Sequence, residues 1–228
     1  MKMVKGLPKR KTSSDLIGKM TVTAMLSAIT ALLVFTPIGM IPLPPPLPSV
    51  TMVHLPVLVA ALVEGPLVGA GVGLVFGVCS CIRAWGMGMA GLTLFFRNPL
   101  ISVLPRILFP LAAAGFYWLW KRIVRRGSVR DKIGAGLSAA LGAACNTVLC
   151  LGLIVVLYGN DLTQLIQTMI SAGNAEARYF DHAGAWLVAV VGLPNGIAEA
   201  AVAAVVVPMI TVAVEAVAKR TPRRKKTA

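Results

Sequence analysis

Acidic residues are scarce in this chain: eight Asp and Glu stand against 22 Lys and Arg. Between Lys19 and Glu64 no charged residue of either sign occurs. With 57% hydrophobic residues and a mean hydropathy of +0.82, a soluble domain of 228 residues has no core large enough to hide so much apolar surface. The motifs of several enzyme classes are missing too. No G-x-x-x-x-G-K-[ST] loop is present to cradle nucleotide phosphates, so the chain is not an ATPase by itself. Neither G-x-S-x-G nor H-E-x-x-H occurs, which leaves no support for hydrolysis within the membrane. No histidine lies close in sequence to Cys79, Cys81, Cys145 or Cys150. The two thiols of Cys-x-Cys on a helix point to different sides. All four cysteines therefore read as small buried hydrophobes, with no metal, disulfide or cofactor implied. The basic N-terminus lacks an A-x-A-type cleavage site, so the first apolar run is expected to stay as a transmembrane helix. No internal repeat or second domain is visible.

The net charge of +14 invites a nucleic-acid reading, but its placement opposes one. Six basic residues lie from Lys2 to Lys19, six from Lys121 to Lys132, and six from Lys219 to Lys226. Basic blocks that flank apolar segments are the positive-inside pattern of membrane proteins, and attraction to acidic lipid headgroups accounts for them. The expected fold is an all-α integral membrane protein of six transmembrane helices with both termini cytoplasmic. A basic arm at residues 1–19 would precede a membrane domain at 20–218 and a basic tail at 219–228.

The uncharged stretch carries the main organising signal. Five of the seven residues from Pro42 to Pro48 are proline, which excludes a continuous helix there. A first helix at 20–35 is expected to rise into this stiff outer loop. Segments 49–63 and 67–82, joined by Glu64-Gly65-Pro66, would each span only ~22–24 Å against a hydrocarbon core of roughly 30 Å. Short segments beside irregular backbone are tolerated where they line an enclosed cavity. The stretch thus reads as the wall and lid of a binding site. Gly69, Gly73 and Gly77 recur every four residues and form a stripe for close helix contact. An apolar, glycine-broken outer loop is expected at 85–98, a span at 100–120 ending in Tyr117, Trp118 and Trp120, and another at 133–158. Leu162, Leu165, Ile166, Met169 and Ile170 keep a helical period in the outer loop 159–184, suggesting a surface amphipathic helix. The last span, 186–217, is expected to bend at Pro194 and Pro208.

Polar side chains within spans are site hypotheses by default. His54, Arg106, Asn146, Asn195 and Glu199 qualify. Counted from the outer helix ends, Arg106 is ~9 Å deep, Asn195 ~14 Å and Glu199 ~20 Å, so four helices converge on one outward-facing zone. Two readings stand: Arg106 and Glu199 neutralise each other while the asparagines tie helices together, or the group binds a ligand. Arg106, between Pro105 and Pro110, favours the second, because broken helical hydrogen bonding leaves room for a ligand.

Taken in order, TPIGMIPLP, TMVHLPVLVAALVEGPLVGAGVGLVFG, NPLISVLPRIL, NTVL and PNGIAEA resemble the substrate-binding S components of energy-coupling factor (ECF) vitamin importers. The pantothenate-specific branch is the most similar. The resemblance implies six transmembrane helices in the plasma membrane of a prokaryote. It implies a vitamin bound near the outer side under loops one, three and five, no enzymatic activity, and no nucleic-acid partner. It also implies a separate transmembrane coupling protein and two cytoplasmic ATPases as partners. The family's A-x-x-x-A docking motif falls on Ala24 and Ala28, a spacing that Ala140/Ala144 and Ala200/Ala204 share. A pantothenate carboxylate would pair with Arg106, with Asn146 and Asn195 reading amide and hydroxyls and His54 or Asn98 closing from above. Another vitamin such as cobalamin, a proton-coupled carrier using Glu199, and a membrane scaffold remain as alternatives.

Overall fold

The computed structural model describes residues 13–41, 50–86, 91–124, 127–171 and 182–220. The proline run at 42–48 lies outside them. Helix α1 (Ser13–Phe35) starts within the basic arm, seven positions before the expected 20, because nothing in residues 13–19 breaks a helix. A 3-10 turn (Pro37–Gly39) leads into β1 (Met40–Ile41), which pairs antiparallel with β2 (Val50–Thr51). This two-rung ladder brings together the chain on either side of residues 42–49.

Helix α2 (His54–Val63) is shorter than the expected 49–63 segment, since Val50 and Thr51 belong to the ladder. Its ten residues are only ~15 Å long. His54, Leu55, Val57, Leu58, Val59, Ala60 and Ala61 are all buried, so α2 is the apolar centre of the protein. It packs against α1, α3 (Pro66–Gly86), α5 (Leu104–Ile123), α6 (Ser128–Ser171) and α8 (Leu193–Arg220). The turn between α2 and α3 needs Gly65, whose φ of 108° suits glycine, and Pro66 then starts α3 where no amide donor is required.

Among the described residues, five segments are long and apolar enough to cross a membrane: Leu16–Phe35, Pro66–Gly86, Pro99–Ile123, Val129–Thr168 and Ala183–Val214. The third begins with the short α4 (Pro99–Ser102) and a break at Val103 before α5. The fourth is broken at Tyr158 (φ −131°, ψ 29°), where the expected span ends and the amphipathic segment begins. That segment turns its apolar side to protein. Leu162 and Ile166 are buried with Phe95, Ile101, Ile154, Trp186 and Leu187 in a cluster of their own. The fifth opens as α7 (Ala183–Trp186) and widens to a π-helical turn (Leu187–Gly192) before α8. Pro194 just beyond that turn has no amide donor, and its ring clashes with the carbonyl four residues back; a wider turn relieves both.

The glycine stripe of α3 does what its spacing implies. A Cβ at Gly69 would meet Ala61 of α2, and one at Gly77 would lie 2.6 Å from the Val103 Cα. At the other end of the molecule, Lys121 lies 3.9 Å from the Tyr117 ring centroid and Arg122 lies 5.3 Å from that of Trp118. Aromatic and basic side chains share this end of α5, as at a membrane interface.

Candidate functional site: a polar cavity beneath the β1–β2 ladder

A cavity of about 390 Å³ opens between α3, α5, α6, α8, the start of α2 and a 3-10 segment (Gly91–Arg97). Its volume falls in the range of roughly 300–1,000 Å³ usual for small-molecule sites. Much of the wall is apolar, including Phe76, Phe96, Ile154 and Leu187. His54, Arg106, Asn146, Asn195 and Glu199 interrupt it. Residues distant in sequence thus meet around one space.

Arg106 is 7% exposed and anchored from several sides. Its Nη1 donates to the Ile101 carbonyl at 2.7 Å and to the Cys150 sulfur at 2.7 Å. The guanidinium carbon lies 4.8 Å from the Phe96 ring centroid and 5.4 Å from that of Phe76. These aromatic contacts favour a cation without neutralising it. Arg106 Nε is buried and has no hydrogen-bond partner among the described residues. Burying an unmade charged donor is expensive, which makes this edge of the guanidinium a natural seat for an anionic acceptor.

Cys150 in turn donates to Asn146 Oδ1 at 3.6 Å, so Arg106, Cys150 and Asn146 form a chain of contacts from α5 to α6. The thiol is buried as expected of a small hydrophobe, and it is also a polar link. On the facing helix, the Oδ1 of Asn195 is buried and unpartnered among the described residues. One turn along, Glu199 Oε1 accepts hydrogen bonds from the Thr51 backbone N–H at 3.2 Å and from the Thr51 hydroxyl. His54 is 1% exposed, and its Nε2 has no hydrogen-bond partner among the described residues. Arg106 and Glu199 hold separate partners among the described residues and are not ion-paired to each other. What the arrangement offers is a fixed cation in an aromatic cleft, facing acceptor oxygens on α8.

The substrate-specific component family of ECF transporters matches residues 18–211, most of the chain. The chain belongs to that family. It is a component of a membrane transporter and not an enzyme. A pantothenic acid transporter, PanT, of Lactococcus lactis subsp. cremoris strain MG1363 is 27% identical to this S component over 147 residues, which cover 54% of the present chain. The matched part spans 64% of the length of that relative.

Of the residues singled out from the sequence of this S component, His54, Arg106, Asn146 and Asn195 line the cavity together. Asn98 does not. Its Oδ1 accepts from the Leu100 amide at the start of α4, and its Nδ2 donates to the Tyr158 hydroxyl at 3.1 Å. The Asn-Pro step makes it a helix cap, and both of its polar ends are engaged. Ala24 and Ala28 lie on the exposed surface of α1, away from the cavity.

Sequence reasoning missed Arg83, Thr51, Phe76, Phe96 and Cys150 as cavity residues. Helix α3 runs one turn beyond the expected end at 82, which carries Arg83 into the wall, where its Nη1 donates to the Val34 carbonyl at 2.7 Å. An arginine directly after an apolar helical run and beside an outer loop was the available signal. Thr51 had none, because its partner Glu199 is 148 positions away.

Proposed function

We propose that this chain is the pantothenate-binding subunit of an ECF-type importer. The observation that carries the reading is Arg106, a buried guanidinium in a cavity of ligand size, whose Nε has no partner among the described residues. Pantothenate has one carboxylate on a neutral body rich in hydroxyl and amide groups. Such a ligand needs one fixed cation and several neutral hydrogen-bonding partners. Arg106 takes the carboxylate, while Asn146, Asn195 and His54 serve the amide and hydroxyls. The likeness to PanT points the same way. Asn98 acts at one remove, by holding the start of α4.

The chain sits in the plasma membrane of a prokaryote with both ends cytoplasmic, as its basic blocks favour. In this reading α2 and the β1–β2 ladder together make the sixth crossing, from the outer side down to the turn at Gly65, where the Glu64 carbonyl accepts from Lys19 of α1 at 3.1 Å. The subunit delivers its vitamin by working with a separate transmembrane coupling protein and two cytoplasmic ATPases. It docks through the small-residue surface at Ala24 and Ala28, where helices approach closely.

Mass spectrometry of small molecules that co-purify with the detergent-solubilised chain tests the substrate. Pantothenate at about one per chain is expected. Recovery of a different vitamin, displaced by itself and not by pantothenate, would overturn the assignment while keeping the family role.

A further inference from the structure

Glu199 is the acidic side chain among the described residues of the cavity wall, and nothing in the carboxylate-binding role of Arg106 requires it. It is 7% exposed and carries no ion pair to Arg106. Its two oxygens differ. Oε1 takes both donors of Thr51, the backbone N–H and the hydroxyl, whereas Oε2 receives no hydrogen bond from the described residues. One turn earlier on the same helix face stands Asn195, with its buried, unpartnered Oδ1. An ionised carboxylate accepts hydrogen bonds and donates none, so this wall calls for ligand donors such as hydroxyl groups. The described charged residues lining the cavity are Arg83, Arg106 and Glu199.

We propose that Glu199 is the specificity-determining residue of this cavity: it accepts a hydroxyl donor from the end of the ligand away from Arg106 and rejects ligands carrying a second anionic group there. The inference rests on the reading of a monocarboxylate held by Arg106. Selection against the wrong ligand then comes from a built-in repulsion, since like charges placed together in a desolvated site are strongly disfavoured. The discriminated class is the phosphate monoester of the same hydroxyl-bearing acid, or a dicarboxylate of similar length. Thr51 fixes the carboxylate, so the repelling oxygen stays aimed at the ligand.

Equilibrium binding of pantothenate and of its phosphate monoester to the purified full chain, by calorimetry in detergent, tests this. The parent protein should prefer pantothenate by about a hundredfold or more, as a like-charge contact in a desolvated site implies. Glu199→Gln is nearly isosteric, keeps an acceptor for Thr51 and replaces the charge with a donor. It should shrink that preference by at least about tenfold, mainly through tighter binding of the phosphate monoester. Glu199→Asp should retain the preference. Thr51→Val keeps the backbone N–H on Oε1 and the charge of Glu199, so it should weaken both ligands and shift their ratio much less than Glu199→Gln does, which separates charge selection from a merely structural role. The inference is overturned if the parent binds both compounds equally. It is overturned too if Glu199→Gln keeps the parental ratio, or if Thr51→Val shifts that ratio as far as Glu199→Gln does. A parent that binds neither compound overturns the pantothenate reading and this inference with it. A parent that binds pantothenate while Glu199→Gln keeps its preference overturns this inference alone.

Discussion

Gly73 of α3 packs directly against the backbone carbonyl of Arg106 on α5, at a separation that leaves no room for a Cβ. The helix that carries the candidate ligand-binding cation is therefore seated on a glycine. Gly77, four residues further, gives the same closeness to Ser102 and Val103, just where α4 passes into α5. The stripe sets the depth at which Arg106 enters the cavity.

Replacing Gly73 with Val forces α3 and α5 apart and is expected to cost about 1–3 kcal/mol of stability, as overpacking does. Ligand binding should fall as well, because the Arg106 backbone shifts. Gly115, which has no neighbouring atom within 4 Å of an added Cβ, is the matched control. Thermal unfolding in detergent checks both substitutions. Equal midpoints for the Gly73 and Gly115 variants would show that the contact is dispensable.

Removing the cap at Asn98 should destabilise the start of α4 by about 1 kcal/mol in Asn98→Ala, and much less in Asn98→Asp, which keeps an acceptor for the Leu100 amide. Any loss of ligand affinity should follow the loss of stability across this pair. An Asp variant that is stable yet cannot bind ligand would mean that the side chain touches the ligand itself.

Much of this architecture was legible because apolar runs, basic blocks and glycine spacing are local signals. Tyr158 marked the end of one helical run, and the glycine stripe of α3 announced its close neighbours. The failures share a cause. Helix α2 starts later than the apolar segment 49–63, because Val50 and Thr51 pair with Ile41 and Met40, and local composition does not record that pairing. The wide turn before Pro194 depends on how backbone carbonyls avoid a ring, and composition does not record that. Asn98 was chosen as a polar residue near the site, whereas its place before Pro99 made it a cap. The pairing of Thr51 with Glu199 joins β2 to α8 and has no sequence counterpart.

Bulk on the exposed α1 surface should separate binding from transport. With Ala24 and Ala28 both changed to Leu, uptake in cells that supply an ECF module should be abolished while affinity for the vitamin is retained. Close packing, which Leu prevents, is what holds helices together in lipid. Full uptake by the double variant would move the docking surface off this helix.

A cysteine placed at Ser13 should remain unlabelled by a membrane-impermeant thiol reagent in intact cells and react once the cells are opened. The basic blocks favour a cytoplasmic position for this end of α1. Labelling in intact cells would reverse the orientation and put the β1–β2 ladder on the cytoplasmic side.

Calorimetric titration of pantothenate into the parent protein and into Arg106→Ala and Arg106→Lys addresses the carboxylate site itself. Removing one partner of a buried charge pair costs a few kcal/mol, so Arg106→Ala should bind at least a hundredfold more weakly, roughly 2.7 kcal/mol. Arg106→Lys should recover only part of this, because an ammonium cannot reproduce the two parallel bonds of a guanidinium or its stacking on Phe96. A folded Arg106→Ala protein that binds pantothenate as the parent does would contradict the account, placing the carboxylate elsewhere or making the natural ligand something other than an acid.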